Sequence, residues 1–467
     1  MHTMLHAARA GAYALTVILA VGCSDAVSPA SRDVVAPPAL ARVGVASSSR
    51  HVMDFGDAIP ADIGAQVAAQ GGTLVRTDAG IGMVVTDGLT DAAADAIAGP
   101  ANNARDLEAR WVPTLEEASA LVAGEASASF EPATTPKSPL TAVFYVNGRQ
   151  WDMRRIHADA AWAQGRTGIP SVRVAILDTG LDPDHQDQNG TVIDQATSTF
   201  FTPSLSPDPG PRWLDDHFHG THVGGTVTTN NIGTAGVAPN VTLVAVKVLN
   251  AAGNGFFSDI ISGIYYATNV KVQVINMSIG AFFPRQGRST AQLSRLLNKA
   301  VNYAHAHDVL VVSAAGNSNI DLQHDQNYVQ MPCEAGVQMC ISATNIADLK
   351  ASYSNYGTDA ISVAAPGGDV GPGGSIISLC SSHSINPGLA VCRARTFYLS
   401  ASGTSMAAPH VAGLGAYLDS QFGGTLTASQ MITSIEQHAD DLGKPGADPV
   451  YGKGRINVVA TVNDPTP

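Results

Sequence analysis

Three short stretches of this chain carry the residue types that nucleophilic catalysis needs. Near the C-terminus, Gly403-Thr404-Ser405-Met406-Ala407-Ala408-Pro409-His410 sets a serine on a tight Gly-Thr turn ahead of small residues that can start a helix. A hydroxyl placed there is exposed and feels the positive end of the helix dipole. Serine is a weak nucleophile alone, so it needs a base and a group that orients the base. His219, in His219-Gly220-Thr221-His222, is the candidate base, and Asp178, in Ile176-Leu177-Asp178-Thr179-Gly180, is the candidate orienter. Brought together, the three would relay a proton for acyl transfer, the carboxylate holding the imidazole in the tautomer the reaction requires.

Two other chemistries compete for the same residues. Asp178-Thr179-Gly180 after an apolar strand is also the signature of aspartic proteases, but those need a second such aspartate. No second Asp-Thr-Gly or Asp-Ser-Gly occurs in the chain. His217, His219 and His222 form His-x-His-x-x-His beside Asp215 and Asp216, close to zinc-binding spacings. Against zinc, Gly220 to Thr226 continues as a small-residue helix start, in which the His219 and His222 side chains need not converge. His217 then reads as a surface or core histidine and His222 as structural packing, with no metal at the site.

The elements that must position these residues are legible from Val143 onward. Val172 to Leu177, Leu243 to Val248, Val272 to Met277 and Val309 to Ala314 are apolar, β-branched runs of the kind found in buried parallel strands. Between the last two, Leu293, Leu296, Leu297, Ala300, Val301 and Ala304 recur at helical spacing, as core packing. Right-handed crossovers then give an α/β fold, a doubly wound, mostly parallel sheet flanked by helices. Asp178 ends the first strand, and sites in such sheets lie at the carboxyl ends of strands. A small α+β domain precedes this one, with strands at His51 to Phe55, Thr73 to Arg76, Gly82 to Thr86 and Arg110 to Val112. Its helices are Ile63 to Ala69 and Thr90 to Ala98.

The octet around Ser405 matches, at every position, the nucleophile signature of subtilisin-like serine proteases, and the order Asp, His, Ser is the subtilisin order. The resemblance covers roughly Trp151 to Val462. It implies a serine endopeptidase that hydrolyses proteins or peptides through an acyl-enzyme, with no cofactor for catalysis. Asn317, in Ser313-Ala314-Ala315-Gly316-Asn317, would donate to the oxyanion alongside the Ser405 N–H; alone it would read as a turn residue. Substrate would lie extended between Gly253-Asn254-Gly255 and Ser278-Ile279-Gly280. Phe257 would line the pocket for the fourth residue before the scissile bond. Ala314, Ala315 and Gly316 would wall the pocket for the residue before it. The small domain resembles, in layout and position, the family's propeptide, an intramolecular chaperone and inhibitor. The family often carries structural calcium, and Asp187 resembles one ligand of a well-known site. Thr229 to Ala235, where that site's loop would run, is about two residues short, so calcium stays open.

Composition bounds the rest. With 45% hydrophobic and 14% charged residues the chain can build a large core, and a net charge of −13 argues against nucleic acid, which needs a basic face. Arg9, the apolar run Ala12 to Val21 and the small residues after it read as an export signal too short to span a bilayer. Its end, Ala20-Val21-Gly22-Cys23, resembles a bacterial lipoprotein signal with Cys23 acylated, so the membrane would be met only through an N-terminal lipid on the cell envelope. Secretion favours two local disulfides among the remaining cysteines, Cys333–Cys340 and Cys380–Cys392, the first choice of three pairings. The chain divides into a signal peptide (1–23), a linker (24–48), a propeptide domain (49–115), a cleavable linker (116–142) and a catalytic domain (143–467). Self-cleavage is expected within Glu116 to Val143, and the mature enzyme is expected as a monomer. The rival from another class is a binding module on the same fold with catalysis lost.

Overall fold

The computed structural model describes residues 45–112, 122–124, 137–188, 198–199, 213–325, 327–369, 374–394 and 397–464. The export signal, Cys23, most of the 24–48 linker and most of the expected self-cleavage segment lie outside the described residues.

The small domain carries β1 (Val45–Asp54), β2 (Thr73–Asp78), β3 (Met83–Asp87) and β4 (Asn103–Arg110), with helices Ile63–Ala69 and Asp91–Ala98. The expected β-α-β-β-α-β order holds, with two corrections, the first being that β1 starts at Val45 rather than His51. The last strand is Asn103–Arg110, not Arg110 to Val112. Its sequence, Asn-Ala-Arg-Asp-Leu-Glu-Ala-Arg, lacks apolar alternation because its polar groups find partners both within the small domain and on the other domain. Asp106 is fully buried, 3.1 Å from Arg50, and accepts the N–H and the Oγ–H of Ser258 at 3.2 and 2.6 Å. Ser258 lies in the first turn of the helix Phe257–Asn269, so the carboxylate satisfies an otherwise orphan helix donor. Burial pushes the Asp106 carboxyl up to about 6 against the pull of Arg50.

The second domain is built on seven strands in the order β15-β14-β12-β10-β6-β8-β7. These are β6 (Arg173–Asp178), β7 (Ser198–Thr199), β8 (Thr242–Lys247), β10 (Val274–Met277), β12 (Leu310–Ala314), β14 (Met339–Thr344) and β15 (Val363–Pro366), all paired in parallel. All four expected parallel strands are present within a residue or two. Along β6, Val174 and Ile176 enter one core while Ala175 and Leu177 enter the other, so both faces are covered. The helix Thr404–Gln421 packs into the first core. The helices Phe257–Asn269 and Arg288–Ala306 pack into the second, the latter through the six residues read from the sequence.

From β6 the chain steps to β8 on one side and then crosses to β10 on the other, which makes the β6/β10 boundary the switch point of the sheet. β9 (Asn254–Phe256) leaves this domain and joins the small sheet beside β4. The antiparallel strands β16 (Ile376–Leu379) and β17 (Tyr398–Ala401) take β5 (Val122–Gly124) as a third strand, and β11 (Ala281–Pro284) pairs with β13 (Tyr328–Met331). The structure joins Cys333 to Cys340 and Cys380 to Cys392, with Cα separations of 5.1 and 5.6 Å. Among the described residues, no helix is long and apolar enough to cross a membrane.

Candidate active site

Asp178 is the last residue of β6, at the switch point, and is fully buried. His219 opens the helix His219–Val227, and its Nδ1 lies 2.8 and 3.0 Å from the two Asp178 carboxylate oxygens. A carboxylate only accepts, so Nδ1 carries the proton and a neutral ring keeps its lone pair on Nε2. Nε2 is buried and has no hydrogen-bond partner among the described residues. The contact depends on close backbone approach. A Cβ on Gly220 would lie 2.1 Å from the Gly180 carbonyl oxygen and 3.2 Å from the Asp178 Cβ. Thr179 and Asp215 fix the same junction. Thr179 Oγ1 donates to Asp215 and accepts the Gly220 N–H, while Asp215 also accepts from the N–H and Oγ1 of Thr221.

Ser405 is tied to the strand beside β6 through Ser278. The β6/β10 register aligns Asn276 with Ile176, so Ser278, two residues on, stands level with Asp178. Ser405 Oγ donates to the Ser278 carbonyl at 2.9 Å, and Ser278 Oγ donates to the Ser405 carbonyl at 2.7 Å. The hydroxyl is therefore fixed at the carboxyl end of β10, the neighbour of β6, and turned toward Ser278. At the far end of the octet, buried His410 Nε2 meets Asp152 at 3.0 Å and pins the helix.

Asn317 follows β12, and its Oδ1 accepts the Thr404 N–H at 2.9 Å and the Thr404 Oγ1–H at 2.8 Å. That turns Nδ2 to the opposite side. A Cβ on Gly403 would lie 3.4 Å from Asn317 Nδ2 and 3.6 Å from the Ser405 nitrogen. Two N–H donors thus flank one small space, kept open by the missing side chain of Gly403. Thr404 Oγ1 also accepts the Gly316 N–H at 3.0 Å, which ties the Ala314-Ala315-Gly316 stretch to the turn that carries Ser405.

The three histidines do not converge. His222 Nε2–H donates to the Leu399 carbonyl at 2.9 Å, and the His217 ring stacks on Phe218, 6.4 Å from the His219 ring. Burial pushes both His217 and His222 down to about 3, so they stay neutral. Among the described residues, the only His/Asp group close enough to share a metal ion is Asp182, Asp184 and His383, elsewhere. There the Asp182 carboxylate already accepts the Asp184 and Ser382 N–H groups, and His383 bonds Asp184.

The expected substrate edges are already paired. β4 runs antiparallel to β9 with Ala109 opposite Gly255 and Arg110 opposite Asn254. Beyond β4, the Trp111 N–H donates to the Gly253 carbonyl and the Gly280 N–H donates to the Trp111 carbonyl, each at 2.9 Å. The chain end of the small domain therefore lies between Gly253-Asn254-Gly255 and Ser278-Ile279-Gly280. On the other side, β5 pairs with β17, the strand that leads into Gly403-Thr404-Ser405.

A family model described as the subtilase family matches residues 170–454. The chain is 38% identical to subtilisin DY of Bacillus licheniformis over 65% of its own length and 95% of the relative's. It is 33% identical to thermitase of Thermoactinomyces vulgaris over 70% and 99%. The chain belongs to the subtilase family. It is accordingly a serine endopeptidase. An epidermin leader peptide processing serine protease from Staphylococcus aureus matches with a TM-score of 0.67. It is 21% identical and covers 89% of this chain and 98% of its own, a likeness of fold.

Within this subtilase the calcium expectation at Asp187 meets the wrong chemistry. One Asp187 carboxylate oxygen accepts the Ile232 N–H at 2.7 Å. The other accepts the N–H groups of Gly233 and Thr234 and the Tyr398 hydroxyl, at 2.9, 3.0 and 2.9 Å. A calcium ion needs six to eight oxygen ligands, whereas the shortened loop presents donors. Its backbone amides take the place of the cation's charge, and Asp187 does not fit a calcium site.

Three positioning residues escaped sequence reasoning. Thr404 and Ser278 sat inside quoted motifs without a role for their side chains. Gln330, almost fully buried, carried no motif at all, yet a Cβ on either Gly280 or Gly316 would collide with its amide. Only the fold brings β13 to that place.

Proposed function

We propose that Ser405 is the nucleophile, His219 the general base, Asp178 its orienter, and Asn317 with the Ser405 N–H the oxyanion donors. His219 Nε2 takes the Ser405 proton as Oγ attacks the peptide carbonyl. Asp178 stabilises the imidazolium, and negative charge on the carbonyl oxygen develops in the space beside Gly403. The protonated ring then gives its proton to the leaving amine, and water activated at His219 releases the acyl group. The observation that carries this reading is the buried, partnerless Nε2 of His219, with Nδ1 pinned to Asp178 and Ser405 fixed through Ser278 at the end of the strand beside β6.

The 49–115 domain serves as an intramolecular inhibitor, because its Trp111 backbone occupies both edges that substrate would use. Self-cleavage falls between Val112, seated over Gly253, and Val122, paired with Ala401, overlapping the expected segment Glu116 to Val143 at 116–121. The protein is exported, and acylation of Cys23 would tether only the precursor; labelled palmitate incorporation reads that step. The catalytic roles are tested with a fluorophosphonate probe and a Ser405→Ala variant. The wild-type protein is expected to label and to self-cleave, and the variant to do neither. Efficient self-processing by Ser405→Ala would overturn the assignment.

A further inference from the structure

Lys247 is the charged residue inside the apolar run Leu243 to Val248, and it is 1% exposed. Lysine is almost never buried so completely unless it is paired. The β6/β8 register sets Lys247 opposite Asp178 and Ala245 opposite Ile176. Ile176 and Ala245 both enter the first core, so Lys247 leaves the sheet on the same face as Asp178. Its Nζ donates to the carboxylate of fully buried Asp216 at 2.6 Å and to the Thr179 carbonyl.

Thr179 is where these bonds meet. Its N–H donates to Asp178 Oδ1 at 2.7 Å, its Oγ1 bridges Asp215 and the Gly220 N–H, and its carbonyl accepts from Lys247. The Asp178 carbonyl is held from the same strand end, by the Val248 and Leu249 N–H groups at 3.0 and 3.3 Å. The Lys247 charge also reaches its neighbours. Burial raises the Asp215 carboxyl and Lys247 opposes that, while burial lowers His217 and the charges of His219 and Lys247 add to it. A buried ion pair adds little stability over apolar residues of like volume, because desolvation offsets the attraction. The value of this one lies in what it holds.

We infer that Lys247 is a positioning residue for the Asp178–His219 pair, acting through the Thr179 carbonyl, with Asp216 as its counter-ion. The inference rests on the proposed roles of Asp178 and His219 and adds a residue that touches neither substrate nor the reacting atoms. The Lys247 bond fixes the peptide leading from Thr179 to Gly180, and Gly180 is the backbone against which Gly220 packs. A shift of about 1 Å there would spoil the contact of His219 Nδ1 with Asp178, and misplacement on that scale costs on the order of 10²-fold in rate. The charged and titratable groups around the ion pair are Asp178 at the end of β6, and Asp215, His217 and His219 on the turn and helix start that carry the base.

The test compares the purified, self-processed enzyme with Lys247→Met, Asp216→Asn and the double variant on one quenched fluorescent peptide, reading kcat, KM, Tm and the pH profile. Lys247→Met should lose roughly 10–100-fold in kcat while KM changes by less than about 2-fold. Asp216→Asn leaves the ammonium on Thr179 and should keep most of its kcat. Removing a cation eases protonation of His219, and removing an anion hinders it. The acidic limb of kcat/KM should therefore rise by roughly 0.5–1 pH unit in Lys247→Met and fall by a similar amount in Asp216→Asn. The double variant leaves neither charge buried alone, so it should regain Tm while kcat stays low. A kcat that simply follows Tm across the variants, or an acidic limb that does not move, would overturn the inference and leave the endopeptidase intact. Should Lys247→Met fail to fold, the double variant and Asp216→Asn decide by the same readings. A wild-type enzyme without an acidic limb would instead contradict the base role proposed for His219.

Discussion

Ser278 and Ser405 exchange two hydrogen bonds, each hydroxyl donating to the other's backbone carbonyl, at 2.7 and 2.9 Å. The cause lies four residues downstream. Pro409 sits inside the helix Thr404–Gln421 and has no N–H to give to the Ser405 carbonyl, which is left for Ser278. Ser405, the proposed nucleophile, thus rests with its proton on the carbonyl of Ser278, in the proposed substrate edge. A peptide strand taking that carbonyl would free the hydroxyl for His219.

This relationship predicts a coupled pair. Ser278→Ala should destabilise the protein by about 1–3 kcal/mol, because a buried carbonyl loses its donor. The loss should shrink in a Pro409→Ala background, where the new backbone N–H supplies a partner. Denaturant unfolding of the two single variants and the double variant, all in the Ser405→Ala form, measures the coupling. Strict additivity would count against it.

Asn317→Ala should lower kcat by roughly 10²–10³-fold, a range known from subtilisin, a relative, and so borrowed rather than derived. Because Asn317 Oδ1 also holds Thr404, a modest loss of Tm should accompany it. A change confined to KM would reassign Asn317 to ground-state binding.

EDTA should leave Tm unchanged as far as the Asp187 loop is concerned. Asp187→Ala, by contrast, takes the carboxylate acceptor from three backbone N–H groups and from the Tyr398 O–H in a buried site. Each lost acceptor costs about 1–3 kcal/mol, so the variant should lose several kcal/mol or fail to fold. A large calcium-dependent rise in Tm that is absent from Asp187→Asn would show that the loop does take the ion.

Acid should destabilise the enzyme through His217 and His222. Burial pushes each from the ordinary 6.5 to about 3, so the unfolded chain takes up protons first as pH falls. Their stabilisation is complete above about pH 6.5 and is lost as pH falls toward 3, at most about 1.4 kcal/mol per pH unit for each histidine. Asp106 and Asp419, both pushed up to about 6 by burial, oppose the trend, so the comparison is with a His222→Gln variant. In the Ser405→Ala form, Tm between pH 7 and pH 5 should fall more steeply with His222 present. Parallel profiles would remove His222 from the account.

Much of the fold and the site is a property of short stretches, and those were legible. A strand buried on both faces must be apolar at every position, as Val174 to Leu177 are, whatever it later pairs with. The helix Arg288–Ala306 declares itself because one face repeats every three or four residues. Asp178, His219, Ser405 and Asn317 could be named as candidates for a similar reason, since each sits at a strand end, turn or helix start within a short motif. β4 was misplaced because its buried Asp106 is satisfied by distant partners, Arg50 of β1 and Ser258 of the other domain, and no local pattern records such partners.

The amino-acid order alone determined which residue types stand at strand ends and helix starts, and therefore what reaction they could perform. Tertiary structure decided what each polar atom meets. It gave Asp187 backbone amides in place of a cation, turned the Ser405 proton toward Ser278, and seated Trp111 on Phe257 and Phe283. Hydrogen bonds and ring contacts act over a few ångströms in space, and their partners here lie tens to hundreds of residues apart along the chain. Only a closed fold fixes them.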